Sequence, residues 1–426
     1  HEYVVVATRT PLGLDRVSPS VSYISLEEME LWQDLQLTDV LEREAGMTVI
    51  QSGAKGGQTS LFNRGTESNH TAFFIDGRRL NSGFGNQFDL ENLQVSGLQS
   101  VQSLKGSASV QYGSSNIGGV IDLRTRSGFY SNGLEVSVQG EVGPNNYYSG
   151  GLGLSYAEGN WAIRVSANGQ ITDNERANDA YEVSNQLHCV DYRVSESLQF
   201  EWLSFLTTTE KGLPGNRFKP KPEDEQETTS WMISPGLRWS TDQLVLHAFY
   251  SRSQHDLESL NLRDSYAPAP DYSFRGTHPA NGEIVVETDE FNLQVDFEAS
   301  EDLLLTTGLL YRHDDADNNN VTYDPLEPVV PYNNRFEQLG IFGQVIWQAT
   351  DLLELRGGTR YDSFSDFDEK STSSVEVIYN FGDSGTSLFA KLGTSYAPPS
   401  ALDIAYDNTA AGTPLQPEES VSYEVG

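Results

Sequence analysis

The sequence predicts an all-β membrane protein, a transmembrane antiparallel β-barrel, preceded by a small N-terminal α+β domain. Two observations indicate this fold class. From residue 133 onward, apolar and polar residues alternate with a period of two in one segment after another. The polar connections between these segments alternate between short and long, as they do in an outer-membrane barrel with short turns on one side and long loops on the other. A soluble all-β protein is the alternative, and it has no reason to sort its connections by length.

Composition limits the function classes before any motif is considered. The 426 residues carry 27 Lys and Arg against 61 Asp and Glu, a net charge of −34. Such a chain repels phosphate, so a nucleic-acid partner is excluded. The single cysteine, Cys189, rules out an intramolecular disulfide framework. No apolar run approaches the roughly 20 residues of a membrane helix, whereas barrel strands alternate faces and need no such run.

The charge is unevenly distributed and predicts a domain boundary. Residues 1–132 contain 10 basic and 14 acidic side chains, whereas the remainder contains 17 and 47. We place the boundary at residues 128–133, which leaves an α+β domain before it and a barrel over residues 133–426.

Capping and turn signals predict the elements of the N-terminal domain. Residues 25–28 have capping-box spacing and open a short helix to about Asp34, while Thr38 caps a second helix that ends at Gly46. The dipeptide Asp76-Gly77 predicts a tight turn, because both positions tolerate positive φ. Strands are predicted around residues 48–51, 73–76, 101–104 and 119–125.

The barrel segments share a simple alternation. In residues 134–142, for example, Leu134, Val136 and Val138 alternate with Glu135 and Ser137. The pattern recurs at residues 161–167, 198–202, 231–239, 244–250, 291–297, 303–311, 339–347, 353–361, 375–381 and 388–396. Long connections are predicted near residues 169–186, 208–228, 254–284, 313–335, 363–373 and 397–417. The short first loop, at residues 143–146, is the exception.

Motifs for catalysis are missing from the sequence. The seven histidines are scattered, and there is no His-Glu-x-x-His, no P-loop ending in Gly-Lys-Ser/Thr and no Gly-x-Ser-x-Gly elbow. Asp314-Asp315 are expected at a solvated loop tip rather than in a catalytic dyad. The surrounding DDADNNN, residues 314–320, offers oxygen ligands suited to calcium, although it lacks EF-hand spacing.

Three motifs, in order, resemble those of the TonB-dependent outer-membrane receptors and transporters. The first is RGTESNHTAFFIDGRRL at residues 64–80, the second YGSSNIGGVIDLRTR at residues 112–126, and the third SYAPPSALDIAYDNTAAGTPLQPEESVSYEVG at residues 395–426. Lys105-Gly106-Ser107 stands where the family usually has Arg-Gly-Pro. The resemblance implies a plug domain, residues 8–132, inside a barrel of about 22 strands. Because roughly 14 strands are predicted, we expect the chain to be a fragment whose C-terminal strands are missing.

The resemblance also implies which plug residues have structural roles. Glycine permits close backbone approach, and charged groups pair the plug with acidic inward residues such as Glu135 or Glu141. The plug-motif residues are Arg64, Gly65, Asp76, Gly77, Lys105, Gly106, Tyr112, Gly113, Gly118 and Gly119.

Residues 1–7 look like the TonB box of this family. That segment is captured as an added strand by a TonB-type energy-coupling protein, the implied partner. Its residues are Glu2, Tyr3, Val4, Val5, Val6 and Ala7. The alternative is that they form the first strand of the plug domain.

The resemblance implies active uptake of a scarce ligand across the bacterial outer membrane, without catalytic residues, cofactor or resident metal. Spacing around the first motif is most similar to cobalamin transporters, so a corrinoid is the expected ligand. A ferric siderophore or haem is the alternative, and a non-energised porin or adhesin barrel is the alternative of another class. Ligand contacts are expected from the plug apex residues Asn69, His70, Asn81, Phe84, Asn86, Gln87 and Phe88.

Overall fold

The computed structural model describes residues 3–13, 20–82, 85–125, 129, 133–216, 219–220, 223–261, 280–319, 321–322, 332–382, 386–405 and 415–426. Within them, the chain divides into an N-terminal plug and a long antiparallel sheet. The last plug strand ends at Thr125 and the first strand of the sheet begins at Gly133. The predicted boundary falls between these two residues.

The plug is built on a five-stranded sheet flanked by two hairpins. Its strands are β1 (Tyr3–Val4), β2 (Leu12–Gly13), β3 (Val21–Ser25), β4 (Met47–Gln51), β5 (Thr59–Asn63), β6 (Thr71–Ile75), β7 (Arg78–Arg79), β8 (Leu98–Lys105) and β9 (Gly119–Thr125). Its helices are α1 (Leu26–Trp32), α2 (Leu37–Glu42) and α3 (Ser109–Tyr112). The sheet order is β3-β8-β9-β6-β7, with β6 and β9 parallel, and β1-β2 and β4-β5 pair separately.

The predicted capping box and turn are confirmed. The Glu28 amide donates to Ser25 Oγ at 3.2 Å, and the Ser25 amide donates to Glu28 Oε2 at 2.9 Å, so α1 begins where the spacing predicted. Asp76 and Gly77 have φ values of 48° and 79°, as a tight hairpin turn requires. The strands predicted near residues 48–51, 73–76, 101–104 and 119–125 are β4, β6, β8 and β9.

The second helix was predicted with the wrong cap. It begins at Leu37, so Thr38 lies inside its first turn, and it ends at Glu42 rather than at Gly46. The Asp39 carboxylate accepts hydrogen bonds from the amides of Leu35 and Gln36 at 3.2 and 2.9 Å and so satisfies the helix N-terminus. Strands β3 and β5 were not predicted. In β5 the buried positions Thr59, Leu61 and Asn63 do alternate, but two of them are polar, so hydropathy alone does not reveal the strand.

Fourteen strands of the second region pair into one antiparallel meander, which matches the predicted number. They are β10 (Gly133–Gly143), β11 (Tyr147–Glu158), β12 (Trp161–Thr172), β13 (Tyr181–Arg193), β14 (Leu198–Gly212), β17 (Glu225–Ser240), β18 (Leu244–Asn261), β19 (Ala280–Ser300), β20 (Leu303–Asn318), β22 (Tyr332–Thr350), β23 (Leu353–Phe364), β24 (Lys370–Asn380), β25 (Ser387–Ala397) and β26 (Glu418–Val425). Short elements lie in the connections: β15 (Gly215–Asn216), β16 (Lys219–Pro220), β21 (Val321–Thr322) and α4 (Ala401–Ala405).

The meander forms a wall around the plug. On β12, Gln170 accepts a hydrogen bond from Gln36 of the plug, and on β26, Glu424 accepts one from Arg64, so the sheet curves round the plug between these strands. Its outward face carries exposed apolar and aromatic side chains, whereas its inward face is mostly polar, as in outer-membrane barrels. Among the described residues, no helix is long and apolar enough to cross a membrane.

The strands on the long-loop side extend further than predicted. β19 contains 21 residues, and Glu258 of β18 still pairs with Glu283 of β19 although both are polar. The alternation disappears there because both faces meet water, whereas the backbone ladder continues. For the same reason the expectation that Asp314-Asp315 form a loop tip is wrong: both lie in β20 and pair with β22.

The plug core includes residues of the wall. Its buried apolar cluster contains Met29, Leu41, Phe73 and Ile121, among others. Five inward side chains of β13, β14 and β17 join it, and we call them the apolar seam: Leu187, Cys189, Leu203, Phe205 and Met232. The seam couples the plug to one side of the wall by hydrophobic burial.

Candidate functional site at the plug–wall boundary

The plug is fastened to the wall at β22–β26, which we call the anchored side. The Ser422 hydroxyl donates to Ser107 Oγ at 2.6 Å, and the Ser115 amide donates to the Tyr396 carbonyl at 3.0 Å. Gly113, at the end of α3, lies so close to Arg360 that a Cβ would stand 3.1 Å from its Nη2. Direct contacts of this kind leave little room between plug and wall.

Two cavities separate the plug from β13–β19, which we call the cavity side. The outer cavity, of about 320 Å³, lies beneath the long-loop ends of the strands. Plug residues Gln58, Asn81, Gln87, Phe88 and Asn92 and wall residues Phe205, Thr207, Gln226, Ser230, Ser253, His255 and Thr288 contribute to its lining. Most of these side chains are amides, hydroxyls or aromatic rings. The cavity therefore offers uncharged hydrogen-bonding groups beside apolar faces.

The two cations that line the outer cavity already have carbonyl partners. Arg79 donates to the Ser114 carbonyl through both terminal nitrogens, at 3.1 and 2.8 Å, and Lys211 donates to the Gly56 carbonyl at 3.2 Å. Burial, with a further contribution from Arg312, lowers the pKa of Arg79 to about 10. Both cations hold neighbouring backbone in place.

Glu91 gives the outer cavity an unusual carboxyl group. It is 4% exposed, and burial, reinforced by neighbouring Asp89, raises its pKa to about 8. The raised pKa favours the protonated carboxyl, which can donate as well as accept hydrogen bonds. The outer cavity consequently carries less negative charge than its composition suggests.

Three of the predicted ligand residues line the outer cavity: Asn81, Gln87 and Phe88. Phe88 packs against Phe73 with ring centroids 5.2 Å apart. Asn81 is occupied by the plug itself, because its Oδ1 accepts from the Phe73 amide and its Nδ2 donates to the carbonyls of Thr71 and Asn86. Asn81 therefore shapes the apex loop.

The other predicted ligand residues lie elsewhere. His70 is buried with its Nε2 2.9 Å from Glu418 of β26, on the anchored side. Asn69 precedes it and does not line the outer cavity, and Asn86 contributes a carbonyl to Asn81. Phe84 is outside the described residues.

Sequence reasoning missed the wall residues of the outer cavity. Ser230 on β17 lies 2.8 Å from His255 Nδ1 on β18, and both line the cavity. The period-two pattern shows that such residues point inward, but it cannot show which strands face the plug apex.

The inner cavity, of about 270 Å³, lies on the other side of the apolar seam and is strongly charged. Arg78 reaches into it, donates from Nε to Ser234 Oγ at 3.1 Å and approaches Glu201 at 3.7 Å. Glu201 also accepts from Arg238 at 3.1 Å and lies 3.0 Å from His247 Nε2. Since Phe205 lines the outer cavity and Leu203 the inner one, the seam is the partition between them.

The predicted TonB box packs against the plug. Val4 and Val6 are fully buried and Ala7 is nearly so, in a cluster with Phe74 and Val120. β1 pairs with β2, so residues 3–13 form a small hairpin that also borders the inner cavity. In this arrangement residues 3–7 pack against the plug, and their role as a TonB box stays a prediction. Glu2 is outside the described residues.

The cations of the plug motifs have the following partners. Arg64 binds Glu424 at 2.7 Å, Lys105 lies 3.4 Å from Glu44, and Arg124 lies 3.3 Å from Asp122. Of these, only the Arg64 pair joins plug and wall. The predicted wall partner Glu141 instead accepts a hydrogen bond from Tyr147 at 2.9 Å.

The motif glycines allow close backbone approach, as Gly119 shows. Its φ is 140°, and a Cβ would stand 2.2 Å from the Leu104 carbonyl oxygen of the neighbouring strand. Gly106 and Gly118 lie in the connection between β8 and β9, Gly65 lies in the connection between β5 and β6, and Tyr112 ends α3 within the core.

In the part of the chain that the structure describes, no group of three or more His, Cys, Asp or Glu side chains is arranged to hold a metal ion. Asp314 and Asp315, predicted as calcium ligands, bind Arg312 and Arg335 at 2.8 and 3.0 Å. Calcium binding in the long loops stays a prediction.

Two family models match the chain. The TonB-dependent Receptor Plug Domain matches residues 14–120, and the TonB dependent receptor-like beta-barrel matches residues 190–426. Among curated proteins, the vitamin B12 transporter BtuB of Vibrio vulnificus is 28% identical over 435 residues, and that of Photobacterium profundum is 24% identical over 433 residues. Each alignment covers 99% of this chain and 66% of the relative, so the chain spans just under two thirds of their length.

Solved structures show the same fold. The copper transporter OprC superposes with a TM-score of 0.78 at 18% identity, covering 96% of this chain and 69% of its own. The ferric yersiniabactin uptake receptor FyuA from Yersinia pestis superposes with a TM-score of 0.76 at 16% identity, covering 95% and 69%. The chain belongs to the TonB-dependent receptors, a family of Gram-negative outer-membrane proteins that are receptors rather than enzymes.

Proposed function

We propose that this receptor takes up a large, uncharged, amide-bearing ligand of the corrinoid class across the outer membrane, with energy from a TonB-type protein. The main support for this ligand class is the lining of the outer cavity, in which amides, hydroxyls and aromatic rings predominate. Such groups bind a ligand that has many neutral donors and acceptors around an apolar body.

The charges of the outer cavity disfavour an anionic ligand. Arg79 and Lys211 are engaged by backbone carbonyls, and the lining also contains the acidic residue Asp89. A strongly anionic ferric complex would have to displace a carbonyl from a buried cation and pass an acidic outer surface. A neutral ligand meets neither obstacle. The names of the two curated relatives, both vitamin B12 transporters, agree with this choice.

A binding titration tests the ligand class. The receptor, produced from its complete gene, is titrated with cyanocobalamin, a ferric hydroxamate and haem. We expect saturable binding of cyanocobalamin alone, weakened roughly fivefold by Phe88→Ala, because an aromatic contact typically contributes about 1 kcal/mol. Phe62→Ala is the matched control, since Phe62 is half-buried in the plug and does not line the cavity. Saturable binding of the hydroxamate without cyanocobalamin binding would leave uptake intact as a function and overturn the ligand class.

The coupling segment is residues 2–7, and its proposed partner is the TonB-type protein. The valines at positions 4 to 6 suit an added strand, because backbone bonds supply the affinity in that mode. Val5→Pro removes one donor and fixes φ, so uptake should fall while ligand affinity at the outer cavity persists. Radiolabelled ligand uptake and equilibrium binding measure the two separately. If both are lost together, residues 2–7 serve only the plug fold.

A further inference from the structure

One buried side chain, Gln102, holds the backbone of the coupling segment. Its Oε1 accepts hydrogen bonds from the amides of Val5 and Val6, at 2.8 and 3.2 Å, and its Nε2 donates to the carbonyl of Tyr3 at 3.1 Å. Gln102 lies in the middle of β8 and is 2% exposed; its bond to the Val6 amide is buried, and those to Val5 and Tyr3 are partly buried.

The geometry of these bonds resembles that of a strand. The carbonyl of one residue and the amide two residues later point to the same side of an extended chain, and a residue of a neighbouring parallel strand bonds both of them. Gln102 bonds this same pair, the Tyr3 carbonyl and the Val5 amide, with its side-chain amide. It therefore occupies groups that strand addition needs.

The segment has two further kinds of contact. The side chains of Val4 and Val6 are buried by apolar packing, and the backbone of β1 pairs with β2 within the hairpin, Tyr3 with Gly13 and Val4 with Leu12. The contacts of Gln294 and Gln344 fall on the carbonyls of Arg9 and Thr8, beyond the segment. Gln102, on a strand of the plug sheet, therefore bonds both the Tyr3 carbonyl and the Val5 amide.

We propose that Gln102 is a positioning residue that keeps the coupling segment docked and competes with the TonB-type protein for the same backbone groups. This inference rests on the proposed coupling function of residues 2–7. Capture by the TonB-type protein is then an exchange of hydrogen bonds. The segment gives up its bonds to the Gln102 side-chain amide and forms new ones to the sheet edge of its partner.

The experiment uses Gln102→Leu, which keeps a side chain of similar size and removes all three hydrogen bonds. Gln94→Leu is the matched control, because Gln94 is equally buried in the plug and its side chain makes no hydrogen bond with the described residues. A nitroxide at Tyr3→Cys, in a Cys189→Ala background, reports segment mobility without any partner protein. Each of the three hydrogen bonds contributes about a fivefold factor to the equilibrium between docked and released segment. Their loss should therefore raise the ratio of released to docked segment roughly 100-fold.

A sharp, mobile spectrum in Gln102→Leu and an unchanged one in Gln94→Leu support the proposal. Unchanged mobility in Gln102→Leu overturns it. Binding of the periplasmic domain of the TonB-type protein to the ligand-free receptor gives a second readout, which should tighten in Gln102→Leu, whereas mere damage to the plug would weaken it or leave it unchanged. If that domain binds no form of the receptor, the coupling function is wrong, and the mobility measurement still decides whether Gln102 holds the segment.

Discussion

The anchored side and the cavity side of the plug meet the same wall in different ways. At β22–β26, small residues and paired charges bring the surfaces into direct contact, as between Ser107 and Ser422 and between Gly113 and Arg360. At β13–β19, an apolar seam separates two polar cavities. Plug and wall are therefore not uniformly complementary. Both sides form hydrogen bonds with the plug, such as that of Tyr181 with the Glu91 carbonyl on the cavity side, but the two larger plug–wall cavities lie on the cavity side.

The largest loss of stability is expected from breaking the buried ion pair between Arg360 and Asp362 on the anchored side. Arg360 and Asp362 form a 2.7 Å pair at 1% and 0% exposure, so Asp362→Ala leaves a guanidinium buried without its partner. We expect a loss of about 3–5 kcal/mol in the free energy of unfolding, measured by urea titration in lipid vesicles. Glu424→Ala breaks the partly exposed pair with Arg64 on the same side and should cost at most about 1 kcal/mol. Equal losses from the two variants would contradict this account of the anchored side.

A smaller loss of stability is expected when a side chain of the apolar seam is shortened. Leu203 is buried between plug and wall and lines the inner cavity, while Phe205, two residues away on the same face, lines the outer one. Leu203→Ala should lower stability by about 2–4 kcal/mol, because it enlarges a space that already exists and removes apolar contacts. Leak of small solutes through vesicles should rise at the same time. A variant that loses stability without any leak would show that the seam does not partition the cavities.

The smallest change in the free energy of unfolding, counted for one unit of pH, is expected from the titration of Glu91. With its pKa at about 8 in the folded protein and about 4.3 in an unfolded chain, the folded state holds one extra proton between these values. Stability should therefore fall by about 1.4 kcal/mol for each unit that pH rises within this window, and level off above it. Glu91→Gln should remove this slope. Unfolding titrations at pH 5, 6, 7 and 8 measure it, and a slope that survives in the variant would assign it to another group.

Much of the fold could be predicted from sequence because its signals are local. The capping box at Ser25, the turn at Asp76 and the alternation of Leu134, Val136 and Val138 each depend on neighbours within a few residues. The residues of the candidate functional site were harder to predict from the sequence. Asn81 and Phe88 were predicted at the apex and do line the outer cavity, but His70 lies on the anchored side and the wall partners Ser230 and His255 were missed.

The alternation in the sequence is enough to tell which side chains of the wall face the plug and which face outward, because a strand has only two faces and its period is two. The turn at Asp76-Gly77 is also encoded locally, since few residues accept positive φ there. The orientation of the plug within the wall, by contrast, depends on the complete folded structure. Arg64 and Glu424 are 360 residues apart and Gln102 and Val5 are 97 apart. No local pattern relates such residues, because their contacts arise when the whole plug packs against one arc of the sheet.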